Sequence, residues 1–166
     1  MTIRKGIKTV IVHTIRPYAE LSGADLSGKD LRKASLRGAK LDSAKLIKAR
    51  LCNAVLAEAN LEFAKLMEAD LTDANLVGAV LTDADLTGAI LRGADLTGAC
   101  LTDAILVGAD LEGAHIGGVD FRYATVDEKV LAVIREAKDE EISSMNVVGP
   151  RESNPRRFRR WRSGHQ

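Results

Sequence analysis

The sequence predicts an all-β solenoid, a tube in which the chain turns a corner every five residues and stacks on itself. Two observations carry this. From Leu21 to Leu111 a leucine stands at every fifth position, and Ile116 and Phe121 continue the phase, giving 21 centres with no insertion or deletion. Two residues before the centre comes Ala in 19 of the 21 units, Lys29 and Val119 being the exceptions. Five residues turn an α-helix so that successive leucines land about 140° apart, which would scatter them over every face. A flat strand fails as well, because side chains alternate with period two and an odd repeat sends consecutive leucines to opposite sides. A short extended piece followed by a corner lets each Ala and the Leu two positions on share one face, and all these pairs point inward.

Units such as Ala24-Asp25-Leu26-Ser27-Gly28, Ala69-Asp70-Leu71-Thr72-Asp73 and Ala94-Asp95-Leu96-Thr97-Gly98 resemble the A(D/N)LXX consensus of pentapeptide-repeat proteins over 106 of the 166 residues. The resemblance implies a right-handed quadrilateral β-helix with four pentapeptides per coil, hence about five coils here. Stacked at ~4.8 Å per coil, they make a rod on the order of 25 Å long. Gly closes many units (Gly23, Gly28, Gly38, Gly78, Gly88, Gly98), as tight corners favour. Aromatic residues are 4% of the chain, so the core consists of Leu and Ala ladders. Each buried Leu contributes roughly 1.5 to 3 kcal/mol, and stability sums over neighbouring coils.

The flanks divide the chain into four parts: 1–18, 19–126, 127–148 and 149–166. Ile7 to Ile15 is rich in β-branched residues and reads as a strand ended by Pro17. It is expected to cap the first coil, since an open coil end presents unpaired backbone; pairing with a partner chain is the competing reading. From Val126 to Glu141 the period changes, with Val130, Leu131, Ile134 and Ala137 at helical spacing and Thr125 and Glu128 placed as a capping box. The apolar face of this helix lids the last coil. In one quinolone-resistance branch of the family a C-terminal helical module also joins two rods end to end, so the resemblance leaves a homodimer seam as the other role for Val130, Leu131 and Ile134.

The last part carries Arg156, Arg157, Phe158, Arg159, Arg160, Trp161 and Arg162. Basic residues interleaved with aromatics suit phosphates and bases, or an anionic membrane surface. The alternatives are a solubilising tail or an intramolecular partner for acidic coils.

No phosphate loop, nucleophile elbow or His-Glu-x-x-His occurs, and acid pairs such as Asp83 and Asp85 follow from the repeat itself. We therefore expect no enzyme. His13, His115 and His165 lie in separate segments, and the Gly-Gly-x-Gly-x-Asp repeats of calcium-binding solenoids are lacking, so no metal or other cofactor is expected. Cys52 and Cys100 sit on either side of their centres and point outward on different faces, which argues against a disulfide. With two free thiols, no secretory signal and no stretch long enough to span a membrane, a cytoplasmic location is expected.

The outward positions carry the functional signal. From Ala19 to Cys52 eight Lys and Arg face four Asp and Glu, a net of +4; from Asn53 to Val126 three basic residues face twelve acidic ones, a net of −9. Quinolone-resistance members of the family are acidic rods that mimic duplex DNA and occupy the DNA site of gyrase. The resemblance thus points to a protein partner, with gyrase the sharpest version, and to Asp70, Asp73, Asp110 and Glu112 on one face with Glu62, Asp83, Asp103 and Asp120 on the next. The basic first coils depart from that pattern. The alternative is a scaffold that holds nucleic acid or a partner through its Arg-rich tail. Reading residues twenty apart as neighbours also stacks Ile47, Met67, Thr87 and Val107 in one column, near Ile105, with Val55, Val80 and Ile90 scattered elsewhere. Such a strip marks either a contact or ordinary exposed hydrophobes.

Overall fold

The computed structural model describes residues 15–137 and 146–148. Apart from Ile15, the strand expected over Ile7–Ile15 lies outside the described residues, as does the Arg-rich part 149–166. Up to Ala124 the chain winds as a solenoid. Residues twenty apart are bridged in parallel, from Glu20 with Lys40 to Ile105 with Thr125, so four pentapeptides complete one coil. The extended piece of each unit is shorter than a strand: the residue before the centre makes the bridge and the rest is turn. The β character of the tube is therefore a ladder of single-residue bridges. Typical rungs are the Asp70 N–H donating to the Ala49 carbonyl at 2.9 Å and the Leu71 N–H donating to the Ile90 carbonyl at 2.7 Å.

The corner has one backbone cause. Every residue two after a centre, from Gly23 to Tyr123, is left-handed, ten of them Gly and eleven not, and so is Tyr18 just before the first unit, with φ between 54° and 72°. An L side chain pays about 1 to 2 kcal/mol for that conformation, which explains the preference for Gly, Asn and Asp there. Gly38 is required for a second reason, since the Tyr18 ring lies where its Cβ would be. With the corner imposed every fifth residue, the Ala and Leu of each unit face inward. Leucines from Leu36 to Leu111 are at most 1% exposed, and no charged or polar side chain is buried with them among the described residues.

At the far end the path changes. β1 (Thr125–Asp127) leads into α1 (Glu128–Ala137), and β2 (Asn146–Val148) returns to pair parallel with β1, Thr125 opposite Asn146. The helix begins at Glu128, two residues after the start of its apolar period, and β2 had no signal in the sequence. Its cap is Asp127 rather than the Thr125–Glu128 box, because Thr125 is held in β1. The Asp127 Oδ1 accepts the Val130 N–H at 2.9 Å, and its Oδ2 accepts the Gly108 N–H at 2.7 Å. One carboxylate thus caps the helix and pins it to the preceding coil.

Val126, Val130, Leu131 and Ile134 are at most 1% exposed within a single chain. Outward the helix presents Glu128, Lys129, Ala132, Arg135 and Glu136. Val130, Leu131 and Ile134 thus serve as the lid of their own tube, with Val133 half-buried against it.

Leu71→Ala should lower unfolding stability by about 2 to 5 kcal/mol, read by chemical denaturation, since its side chain is fully enclosed by neighbouring coils. Ile134→Asp places an unpaired charge under the lid and should cost more than about 3 kcal/mol. Sedimentation at equal concentration should give the same mass for parent and variant, whereas a dimer that falls to monomer would restore the seam.

Candidate interaction surface

The twenty-residue coil sorts outward residues into four sides. The first has centres 21, 41, 61, 81, 101 and 121, the second follows from 26, the third from 31 and the fourth from 36. On each side the residue before a centre, the residue after it and the left-handed corner residue point away from the core.

Asp and Asn before a centre have a structural task that the sequence reading did not foresee. All nine of them, Asp25, Asp30, Asn60, Asp70, Asn75, Asp85, Asp95, Asp110 and Asp120, accept the backbone N–H two residues on, at 3.0 to 3.3 Å. These bonds satisfy an amide at the start of the turn and hold the corner. The A(D/N)LXX preference therefore has a local cause, and an acid at this position is not evidence of an acidic binding face.

The predicted acidic residues fall on two sides that do not adjoin. Asp70, Asp73, Asp110 and Glu112 belong to the third side, and Glu62, Asp83, Asp103 and Asp120 to the first, half a coil away. Several are already engaged. Arg92 donates through Nε to Asp110 at 2.6 Å and also reaches Glu112 at 3.4 Å. Lys129 of the lid lies 3.8 Å from Asp110. The Arg92 hydrogen bond holds the Asp110 carboxyl below its ordinary range. Asp70 takes hydrogen bonds from the Cys52 thiol at 2.9 Å and the Thr72 hydroxyl at 2.7 Å. Partial burial would raise the Asp70 pKa, but these bonds outweigh it and lower it, while burial and the same carboxylate push the Cys52 thiol up. Asp120 is gripped by Arg122, with Nη2 to Oδ2 at 2.6 Å, and this bond brings its pKa to about 2.

Glu62, Asp73, Asp83 and Asp85 enter no ion pair among the described residues. Three of these four, together with Asp103, gather at the corner between the first and second sides. That corner column reads Phe63, Asp83, Asp103, Tyr123 with one residue per coil. Phe63 is 58% and Tyr123 53% exposed. Sequence reasoning passed over both aromatics; the available signal was a bulky ring at a position that otherwise favours Gly or Asp.

Ile47, Met67, Thr87 and Val107 stand in one column on the second side as expected, but each is half-buried, and Ile105 lies beside Val107. Lys45 and Lys65, stacked on each other, flank the upper part of this column. Val55 lies on the fourth side, Val80 on the first and Ile90 on the third. The basic residues of the early coils are largely paired: Arg32 and Arg50 with Asp30, Arg37 with Glu58, Lys40 with Glu20, and Lys48 with Glu68. Cys52 and Cys100 are both free and lie on opposite sides of the tube. Among the described residues no three His, Cys, Asp or Glu come together as a metal site would need, and no helix is long and apolar enough to cross a membrane.

A tube of stacked pentapeptides with its polar side chains on outward columns defines a repeat protein. The family model for pentapeptide repeats, in eight copies, matches residues 18–47, 34–73 and 64–103, more than half of the chain, and the chain belongs to this family. No curated protein sequence matches it. Among solved structures it is similar to the pentapeptide repeat protein Rfr23 of the cyanobacterium Cyanothece 51142, at 37% identity and TM-score 0.53, over 58% of this chain and 63% of that one. The match thus spans less than two thirds of the Cyanothece protein. HetL of Nostoc sp. strain PCC 7120, described as involved in heterocyst differentiation regulation, is 32% identical over 64% of this chain and 61% of its own, with TM-score 0.46. QnrB1, a plasmid-mediated fluoroquinolone resistance protein, is 15% identical over 77% of this chain and 84% of its own, with TM-score 0.37.

Asp120 provides a pH test. Its carboxyl is lowered from 3.8 to about 2 in the folded chain, so its pairing stabilises fully above about 4 and is lost as pH falls toward 2. Arg122→Gln should return the Asp120 titration toward 3.8 in carboxyl NMR, with little change in stability at neutral pH because the pair is largely exposed. An unshifted titration in the variant would assign the effect to something other than Arg122.

Proposed function

We propose that this chain is a non-enzymatic interaction rod, a right-handed β-helix of about five coils, that presents the acidic corner of its C-terminal half to a basic partner surface. The observation that carries this reading is the gathering of Glu62, Asp83 and Asp103 along one corner, while Asp70, Asp110 and Glu112 of the third side are bound to Thr72, Cys52 or Arg92. Carboxylates repeated from coil to coil, ~4.8 Å apart, form a linear field. Such a field favours a basic groove and loses strength with salt. The specific version is the DNA channel of gyrase, with the corner column, rather than two adjoining faces, standing for the phosphate row.

The test is gyrase-catalysed supercoiling in the presence of the parent and of Glu62→Gln, Asp83→Asn, Asp103→Asn combined. Asn tolerates the left-handed backbone at 83 and 103, so the tube is kept. The parent should inhibit at low salt, and the triple variant should need about tenfold more protein for the same effect, as loss of several exposed charge contacts implies. Equal inhibition by both would move the contact off this corner. A parent without effect on gyrase would end the topoisomerase version and leave the basic partner to be sought elsewhere.

A further inference from the structure

The positive charge of the first two coils is not spread round the tube. On the fourth and first sides Arg37 and Lys40 are matched by Glu20 and Asp42. The net of +4 between Ala19 and Cys52 therefore belongs to the second and third sides, where Lys29, Arg32, Lys33, Lys45, Lys48 and Arg50 face Asp25 and Asp30. Asp30 takes up Arg32 and Arg50, and Glu68 takes up Lys48. Lys29, Lys33, Lys45 and, one coil on, Lys65 enter no ion pair among the described residues.

Lys45 is bridged to Lys65, one rung of ~4.8 Å away, and among the bridges between described coils theirs is the one that stacks like charges. Like charges directly opposite on neighbouring strands are destabilising, so the fold carries a repulsion here that a bound anion would relieve. The carboxylates at the two ends of the stack do not relieve it. Asp25 and Asp85 turn Oδ1 to their own backbone, accepting the Ser27 and Thr87 N–H groups at 3.1 and 3.0 Å. The Ser27 hydrogen bonds hold the Asp25 carboxyl below its ordinary range, and Lys45 and Lys29 add to this at a distance, without an ion pair. Phe63, left-handed at φ 58° and 58% exposed, stands at the corner just before Lys65. Ile47 and Met67 follow the two lysines on the second side and are half-buried. Glu62 and Asp83 bound this cationic face at its lower edge.

We propose that the face running from Phe63 across Lys65 and Lys45 to Lys29 binds single-stranded nucleic acid, the ammonium groups pairing with phosphates and the Phe63 ring stacking on a base. The chemistry of the face selects this occupant. Lysine is a compact point charge suited to phosphate, and a phosphate shared by Lys45 and Lys65 cancels their repulsion. An exposed ring beside cations matches a strand whose bases are unstacked, whereas a duplex keeps its base faces covered. Ile47 and Met67, sunk between the coils, offer a bilayer no apolar wedge. An acidic peptide would answer the lysines but gives the ring nothing to stack on. The inference does not rest on the proposed function, which uses other side chains and a basic partner.

The test is anisotropy of a labelled oligothymidylate of about twenty nucleotides, titrated with the intact protein over a salt series. Lys45→Gln with Lys65→Gln, and separately Phe63→Asn, are each measured in the parent and in an Arg156→Gln, Arg157→Gln, Arg159→Gln, Arg160→Gln background, which removes the contribution of the Arg-rich segment. Asn is accepted in the left-handed region, and the lysine variant should melt no lower than the parent because a repulsion is gone. In both backgrounds the lysine variant should bind about ten- to thirtyfold more weakly at about 0.1 M salt. The slope of log affinity against log salt should fall in magnitude by about 1.4, or about 0.7 for each of two phosphates. Phe63→Asn should weaken binding about fivefold or more with the slope unchanged, the signature of a lost stack rather than a lost charge. The site is overturned if the lysine variant binds as its parent does, or if all binding disappears with the four arginines. Unaltered affinity in Phe63→Asn overturns the single-strand assignment. Lysine-dependent retention on phosphatidylserine vesicles or on polyglutamate, with no retention of the oligonucleotide, would assign the face to a bilayer or to an acidic protein and overturn it likewise. Gyrase takes no part in these measurements, so their result and that of the supercoiling assay stand or fall separately.

Discussion

A left-handed residue at every fifth position is the constraint on which the rest of the molecule depends. It turns the chain before an extended run can grow beyond one bridging residue, and so replaces a sheet by a ladder of single rungs. It also explains why the inward set is Ala and Leu. Two of every five side chains face the axis, and one small and one branched residue per unit fill a narrow tube without voids. The strain at non-glycine corners such as Lys33, Glu58 and Phe63 is outweighed by coils stacked on both sides, which leave these residues no alternative path.

The same geometry gives polar residues different meanings at different positions. An Asp before the centre is a turn former whose carboxylate is tied to the backbone two residues on, and Asp25, Asp70 and Asp95 serve alike in basic and acidic coils. An Asp at the corner, as at 83 and 103, tolerates its left-handed backbone and projects at the tube's edge. Counting charges along the chain merges these classes and overstates the resemblance to a duplex. Sorted by position, the outward acids separate into turn formers such as Asp70 and Asp85 and corner residues such as Asp73, Asp83 and Asp103.

The ends of the tube obey another rule. A solenoid has no natural stop, and its last Leu layer must be covered. Here a single residue organises the cover: Asp127 ends β1, caps α1 and ties it to Gly108 of the coil above. Val126, Val130, Leu131 and Ile134 of this cover are enclosed by their own chain.

What the sequence by itself determined is everything local to one pentapeptide. The spacing of Ala and Leu gives the inward face, recurrent Gly gives the corner, the change of period after Val126 gives the lid helix, and all three are written within a few residues of one another. What only the tertiary structure decided is everything that depends on contacts between coils. The residues alone leave the number of units per coil open; family resemblance supplies four, and the bridges between residues twenty apart display it. From that register follow the separation of Asp70 and Asp110 from Asp83 and Asp103, and the capture of Asp110 by Arg92 eighteen residues earlier. So too does the alignment of Phe63 with Tyr123. β2 was illegible because three residues without periodicity acquire strand geometry only from the neighbour they pair with, and that neighbour is set by how the tube ends.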